Sequence, residues 1–192
     1  MNKNDQLNRI QEKIQEIVEK SANGDYIYRG EPEWYPKVSS GLYRKHSKIE
    51  AEHFDIEVVE KEILKIAKRY TTETDDTKTD DFDILTELQH YGGATNLIDF
   101  TTDYFTALFF ACDGSDFLDK NGRVILLQKT EEINKLVRIP QNLINRVRAQ
   151  KSVFVQPPKG FIEIGPDQVI NIPKELKQPI LKYLGQYCKI SM

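Results

Sequence analysis

Residues 88–111 read Leu-Gln-His-Tyr-Gly-Gly-Ala-Thr-Asn-Leu-Ile-Asp-Phe-Thr-Thr-Asp-Tyr-Phe-Thr-Ala-Leu-Phe-Phe-Ala, and their order decides the fold class. A helical pattern that begins near Phe82 stops at Gly92-Gly93, where glycine lets the chain turn without steric cost. Asn96 to Phe100 is a short apolar run that reads as a strand. Thr101-Thr102-Asp103 then opens a second helix, from about Thr102 to Asp113, whose apolar residues cover nearly every side. Phe105, Leu108, Phe109 and Cys112 share one face, and Tyr104, Ala107, Phe110 and Ala111 take most of the rest. A helix of that kind is buried, so it is expected to be the central helix of the fold.

Upstream, Leu7, Ile10, Ile14, Ile17 and Val18 recur at helical spacing, which predicts an amphipathic helix over 5–20 ended by Asn23-Gly24. Asp25 to Arg29 is aromatic and β-branched and reads as a strand closed by Gly30. Pro32 and Pro36 make the next stretch a loop. A second helix is expected over 50–70, with Ile56, Val59, Ile63, Ile66, Ala67 and Tyr70 as its buried stripe. Residues 71–81, rich in Thr and Asp, read as a solvated loop. Downstream, Gly122 to Gln128 is a strand, several short apolar runs between Pro and Gly suggest more, and 176–187 is a last helix. Helices lead and strands gather toward the end, which favours α+β over a βαβ alternation. Residues 1–192 are read as one domain, with core motifs over 25–156.

Charge and composition exclude several classes of function. With 27 basic and 30 acidic side chains, the formal net charge is -3, so no overall field draws a phosphate backbone and duplex nucleic acid is not implied. The two cysteines, Cys112 and Cys188, form no disulfide framework and no metal-ligand spacing. No stretch has the length and apolarity of a membrane span, and residues 1–6 lack the pattern of a secretory signal. A soluble cytoplasmic protein is expected.

Three clusters carry candidate chemistry. Tyr28-Arg29-Gly30 puts an Arg at a strand end beside a glycine that lets a group approach the backbone, an arrangement suited to an anion. The local sequence by itself favours a plainer reading, a rim Arg paired with a carboxylate such as Glu31 or Glu33. The segment from Gln89 to Thr101 gathers Gln89, His90, Tyr91, Thr95, Asp99 and Thr101 around Gly92-Gly93. Asp99, flanked by Ile98 and Phe100, needs a partner, and Arg29 is the cation expected to supply it. Here too there are plain structural readings, with Gly92 a helix cap, Thr101 or Thr102 an N-cap and His90 an interior histidine. Arg146, Arg148 and Lys151 form a third, basic cluster, which a solvated helix end also explains.

The motifs resemble those of the FRG domain family, whose opening Phe/Tyr-Arg-Gly is matched by Tyr28-Arg29-Gly30 and whose following Ser and Arg are matched by Ser39 and Arg44. Its central signature is matched by Leu88 to Gly92, Thr95, Leu97 to Thr101 and Ala107 to Ala111, and its closing element by Arg146, Gln150 and Phe154. Ser152 stands where that element carries Gly. A weaker resemblance, to ADP-ribosyltransferase folds, lies in the order of an Arg-bearing strand, a strand ending in Thr and a helix ending Ala-Leu-Phe-Phe-Ala. It implies a mostly antiparallel, split ADP-ribosyltransferase-like sheet with N-terminal helices packed on it. It also implies NAD or a related nucleotide as ligand, no metal, and a macromolecular acceptor such as a toxin or phage-defence effector would modify. Arg29 would hold phosphate, His90 and Tyr91 the ribose or nicotinamide, Thr101 the nicotinamide ribose, and Gln150 or Glu163 would act at the acceptor. Gly30, Ser39, Arg44, Gln89, Gly92, Thr95, Asp99 and Phe154 complete the expected ligand-binding set. A non-catalytic module that recognises a partner protein or a nucleotide signal is the rival expectation.

Overall fold

The computed structural model describes residues 2–47, 55–71, 80–139 and 151–188. Helix α1 (Lys3–Lys20) is capped by Asn2, whose side chain accepts from the Asp5 N–H at 2.8 Å. Strand β1 (Tyr26–Glu31) follows, then β2 (Val38–Ser39), α2 (Gly41–His46), α3 (Ile56–Thr71) and α4 (Asp81–His90). Strand β3 (Ile98–Thr101) leads into α5 (Tyr104–Cys112), and β4 (Gly122–Gln128) into α6 (Glu131–Leu136). Strands β5 (Val137–Arg138), β6 (Ser152–Val155), β7 (Phe161–Ile162) and β8 (Val169–Ile172) precede the last helix, α7 (Lys174–Tyr183).

The result is α+β. Among the described residues, six strands form one sheet in the order β5-β6-β3-β1-β4-β8, and every neighbouring pair is antiparallel. Strands β2 and β7 pair separately. Because side chains alternate across a strand, β1 sends Tyr28 to one face of the sheet and Ile27 to the other. On the first face Tyr28, Val124, Leu126, Ile170 and Ile172 pack with α1, α5 and α7 through Ile10, Ile17, Ala107, Leu108 and Ile180. On the second, Ile27, Ile98, Phe100, Ile125, Val153 and Val155 pack with Val38 and the partly buried Leu136, Ile162 and Ile164. Leu108 and Ala107 are fully inaccessible, so α5 is the central buried helix its sequence promised. Burying one such leucine stabilises by about 1.5–3 kcal/mol.

Helix α5 crosses β1 and β4 at backbone distance. A Cβ built on Gly30 would lie 1.9 Å from the Ala107 carbonyl oxygen, and one on Gly122 would lie 2.1 Å from that of Ala111. This corrects the reading of Gly30 as a strand end that admits a ligand: β1 runs on to Glu31, and the group approaching Gly30 is the helix. Two other expectations change. Helix α3 buries Ile56 but leaves Ile66 half exposed, so its stripe covers the edge of the fold rather than its centre. The N-cap of α5 is Asp103, which accepts from the Phe105 N–H at 3.0 Å, while the Thr101 hydroxyl accepts from the Asp103 N–H. The expected loop over 71–81 and the basic pair Arg146 and Arg148 fall largely or wholly outside the described residues.

Candidate functional site

Antiparallel register brings the motifs together. Tyr28 pairs with Thr101, and Asp99 with Phe154, so residues more than fifty positions apart become neighbours at one end of the sheet. A cleft of about 560 Å³ opens there. Strand β1 contributes Tyr28, Arg29 and Gly30, α4 contributes Thr86, Gln89 and His90, and β3 contributes Asp99, Phe100 and Thr101. Ser152 and Phe154 come from β6, and Phe110, Asp113, Gly114 and Phe117 from the end of α5 and the turn after it.

Arg29 is anchored rather than free. Its Nε donates to Glu31 Oε1 at 2.9 Å and its Nη1 to the Asp99 main-chain carbonyl at 2.8 Å. Glu31 is buried, and its other oxygen accepts from Arg123 Nε at 2.8 Å, with Arg123 Nη2 at 2.6 Å. Arg123 also donates to the Tyr35 carbonyl and lies 5.0 Å under the Trp34 ring. One carboxylate thus serves two guanidiniums, so the triad carries a net positive charge. Each member is costly to leave unpaired away from water.

Asp99 is held differently. Its carboxylate oxygens accept from Gln89 Nε2, both at 2.9 Å, and Gln89 Oε1 in turn accepts from the Thr95 hydroxyl. The expected Arg29–Asp99 ion pair is therefore replaced by a bond to the main chain and a neutral amide clamp. The reason is geometric. Tyr28 pairs with Thr101, so alternation along each strand puts the Asp99 side chain on the Tyr28 face of the sheet and the Arg29 side chain on the other. Desolvation pushes the Asp99 carboxyl above its ordinary range, and Arg29, main-chain donation and Gln89 only partly offset it. The carboxyl is reachable by water because it opens into the cleft, yet protein crowds it on the other sides, and that crowding raises its pKa.

The remaining expected site residues divide. His90, Thr101 and Phe154 line the cleft with Arg29, Gly30, Gln89 and Asp99. Thr95 lies outside the lining, and its hydroxyl donates to Gln89 Oε1 and accepts from the Leu97 N–H at 3.4 Å. Tyr91 is 80% exposed and meets His90 edge-on at 5.3 Å, outside the lining. Gly92 has φ 84° and its N–H donates to the Gln89 carbonyl at 3.0 Å, with Gly93 N–H on Leu88 at 2.8 Å. That is a helix C-terminal cap. Ser39 is buried and gives its carbonyl to the Arg44 guanidinium; Arg44 is exposed, and burial and then the like charge of Arg29 lower its pKa. Glu163 lines a separate depression of about 330 Å³ with Trp34 and Arg123. Gln150 is outside the described residues. Asp113, Phe110 and Phe117 were not anticipated. Asp113 directly follows the apolar helix, and an acid at that end of a buried helix is a signal that could have been read.

A family description for the FRG domain matches residues 24–120. That span takes in Arg29, Gln89, His90, Asp99, Thr101 and Asp113, and stops short of Phe154. No curated protein matches the chain, and no solved structure does.

Proposed function

The chain belongs to the FRG domain family, and from that premise we propose that its cleft binds NAD. One observation carries the reading: Arg29, which donates to the Asp99 main-chain carbonyl, lines a cleft of small-molecule size together with two aspartates and several aromatic residues. NAD has an anionic pyrophosphate and a flat, cationic nicotinamide ring. Arg29 keeps donors beyond those it gives to Glu31 and Asp99 and suits a phosphate oxygen. The partly exposed Phe110 and Phe117 suit a planar cation, and Asp99 and Asp113 offer charge. Asp113 also stands at the carboxyl end of α5, where the helix dipole favours positive charge. Thr101 and His90 are in place for ribose hydroxyls.

If the bound nucleotide reacts, the chemistry is glycosyl transfer of the ADP-ribosyltransferase kind. The bond from ribose C1 to the nicotinamide nitrogen breaks, and its electron pair leaves with nicotinamide, which becomes neutral. An acceptor nucleophile then bonds C1 and gives up its proton. Asp113 would steady the cationic ribosyl group, while Gln150 or Glu163 was expected to act at the acceptor. A toxin or phage-defence effector is the setting that fits such transfer to a macromolecule.

Calorimetric titration with NAD, ADP-ribose and nicotinamide mononucleotide tests the ligand, using Arg29→Ala as the control. Binding of NAD that this substitution abolishes is expected, and no binding by any of the three sinks the reading. Mass spectrometry after incubation with labelled NAD and cell lysate separates a transferase from a module that only recognises the nucleotide.

A further inference from the structure

Helix α7 holds a buried charge that neither the triad nor the cleft chemistry uses. Lys177 has no accessible surface and is among the largest fully buried side chains. It follows Leu176, which with Ile180 and Leu184 packs α7 into the core on the α5 side of the sheet. Its Nζ donates to the Pro32 carbonyl at 2.5 Å and to the Phe117 carbonyl at 2.7 Å. Pro32 and Phe117 both line the cleft.

Those acceptors belong to separate segments, the stretch that follows β1 and the turn after α5. Two oxygens bonded to one nitrogen are neighbours, so the ammonium joins the two segments from within. The turn has little else to hold it. Its own main-chain bonds, Phe117 N–H to Gly114 and Lys120 N–H to Phe117, are both 3.2 Å, at the long end of the normal range. On the outside Lys120 pairs with Glu33 at 2.5 Å and stands 5.4 Å over the Phe117 ring. An exposed pair of that kind adds little stability, and its charges cancel, so it does not oppose a cation at the ring. Burial lowers the Lys177 pKa, with Asp119 and Glu33 among the groups that oppose. An apolar side chain would avoid that desolvation, so what the ammonium contributes is its donors. Without them the two carbonyls would turn toward water, and the cleft wall would turn with them.

We propose that Lys177 is a positioning residue that sets the selectivity of the cleft: it fixes Phe117 where a cationic nicotinamide would stack, and so favours nucleotides that carry that ring. The inference rests on the NAD reading and extends it to a residue beyond the span that the family description matches. Lys177 touches no ligand itself. It acts through the Phe117 and Pro32 main chain, at the end of the cleft where these two residues meet.

Calorimetric titration of the full chain and of Lys177→Met with NAD, nicotinamide mononucleotide and ADP-ribose tests the selectivity. Methionine matches the stem in length and removes only the donors. NAD and nicotinamide mononucleotide are expected to bind about tenfold more weakly to the variant, the effect of losing one desolvated cation–ring contact. ADP-ribose, which lacks the ring, should bind as it does to the parent. Hydrogen exchange supplies a readout that needs no ligand: residues 113–120 and 33–35 should exchange faster in Lys177→Met, with α1 unchanged. If Lys177→Met does not fold, Lys177→Gln, whose shorter amide cannot reach both carbonyls, should show the same pattern. Equal weakening of all three ligands, or none, overturns the proposal, as does exchange that rises throughout the chain or nowhere. If the parent binds none of the three, the NAD reading is what fails. The positioning of Phe117 is then decided by exchange alone, and unchanged protection over 113–120 overturns it.

Discussion

The two faces of strand β1 are held by opposite means. Tyr28 and Gly30 lie against α5, where packing is so close that a side chain on Gly30 would collide with the helix backbone. On the other face Ile27 is buried among apolar neighbours, while Arg29 and Glu31 enter a charged triad with Arg123. One three-residue motif therefore answers to two constraints. Its glycine is demanded by steric approach, and its arginine by buried charge. Arg29 keeps donors beyond the triad and Tyr28 brings a hydroxyl to the same cleft, so the functional content of Tyr28-Arg29-Gly30 rests on those two side chains.

Substitutions on either face of β1 separate steric packing from buried charge. Glu31→Ala strands Arg123 without its carboxylate and should cost about 3–5 kcal/mol in a denaturant melt. If the loss is below ~1 kcal/mol, the triad is not structural. Gly30→Ala should cost about 3 kcal/mol, because α5 must shift to relieve the contact with Ala107; equal stability would show that the helix has room. Arg29→Ala leaves Glu31 its bonds to Arg123, so a loss of only about 1–2 kcal/mol is expected, together with complete loss of NAD binding by calorimetry. Arg29→Lys should recover stability but not binding, since an ammonium cannot reproduce the fork. Trp34→Ala removes the ring above Arg123 and should cost roughly 0.5–1 kcal/mol.

Asp99 sharpens the picture through pH. Its folded pKa is raised, so folding favours the protonated form. The penalty is absent below the ordinary Asp value and grows as pH rises through that value toward the folded one. Asp99→Asn should accordingly be more stable than the parent near neutral pH and equal to it near about pH 3, read from melting temperatures across that window. Equal stability at both ends would mean that Gln89 and Arg29 fully compensate the desolvation.

Much of the architecture was legible in residue order alone. The all-apolar helix after Asp103, the double glycine after His90 and the Val/Ile/Leu run from Gly122 follow local rules, and each element forms where its pattern places it. Membership in the family was legible for the same reason, since its motifs are contiguous runs. What only tertiary structure decided are relations across the sheet. Antiparallel pairing set Thr101 beside Tyr28, turned Asp99 toward Gln89 in place of Arg29, and made Arg123 the second partner of Glu31. Ridge-to-backbone packing assigned Gly30 to α5. The end of that helix brought Asp113 and Phe117 to the cleft, and Glu163 went to another depression altogether. Each of these depends on which strands become neighbours, and period-two alternation along a single strand carries no information about its partner's register.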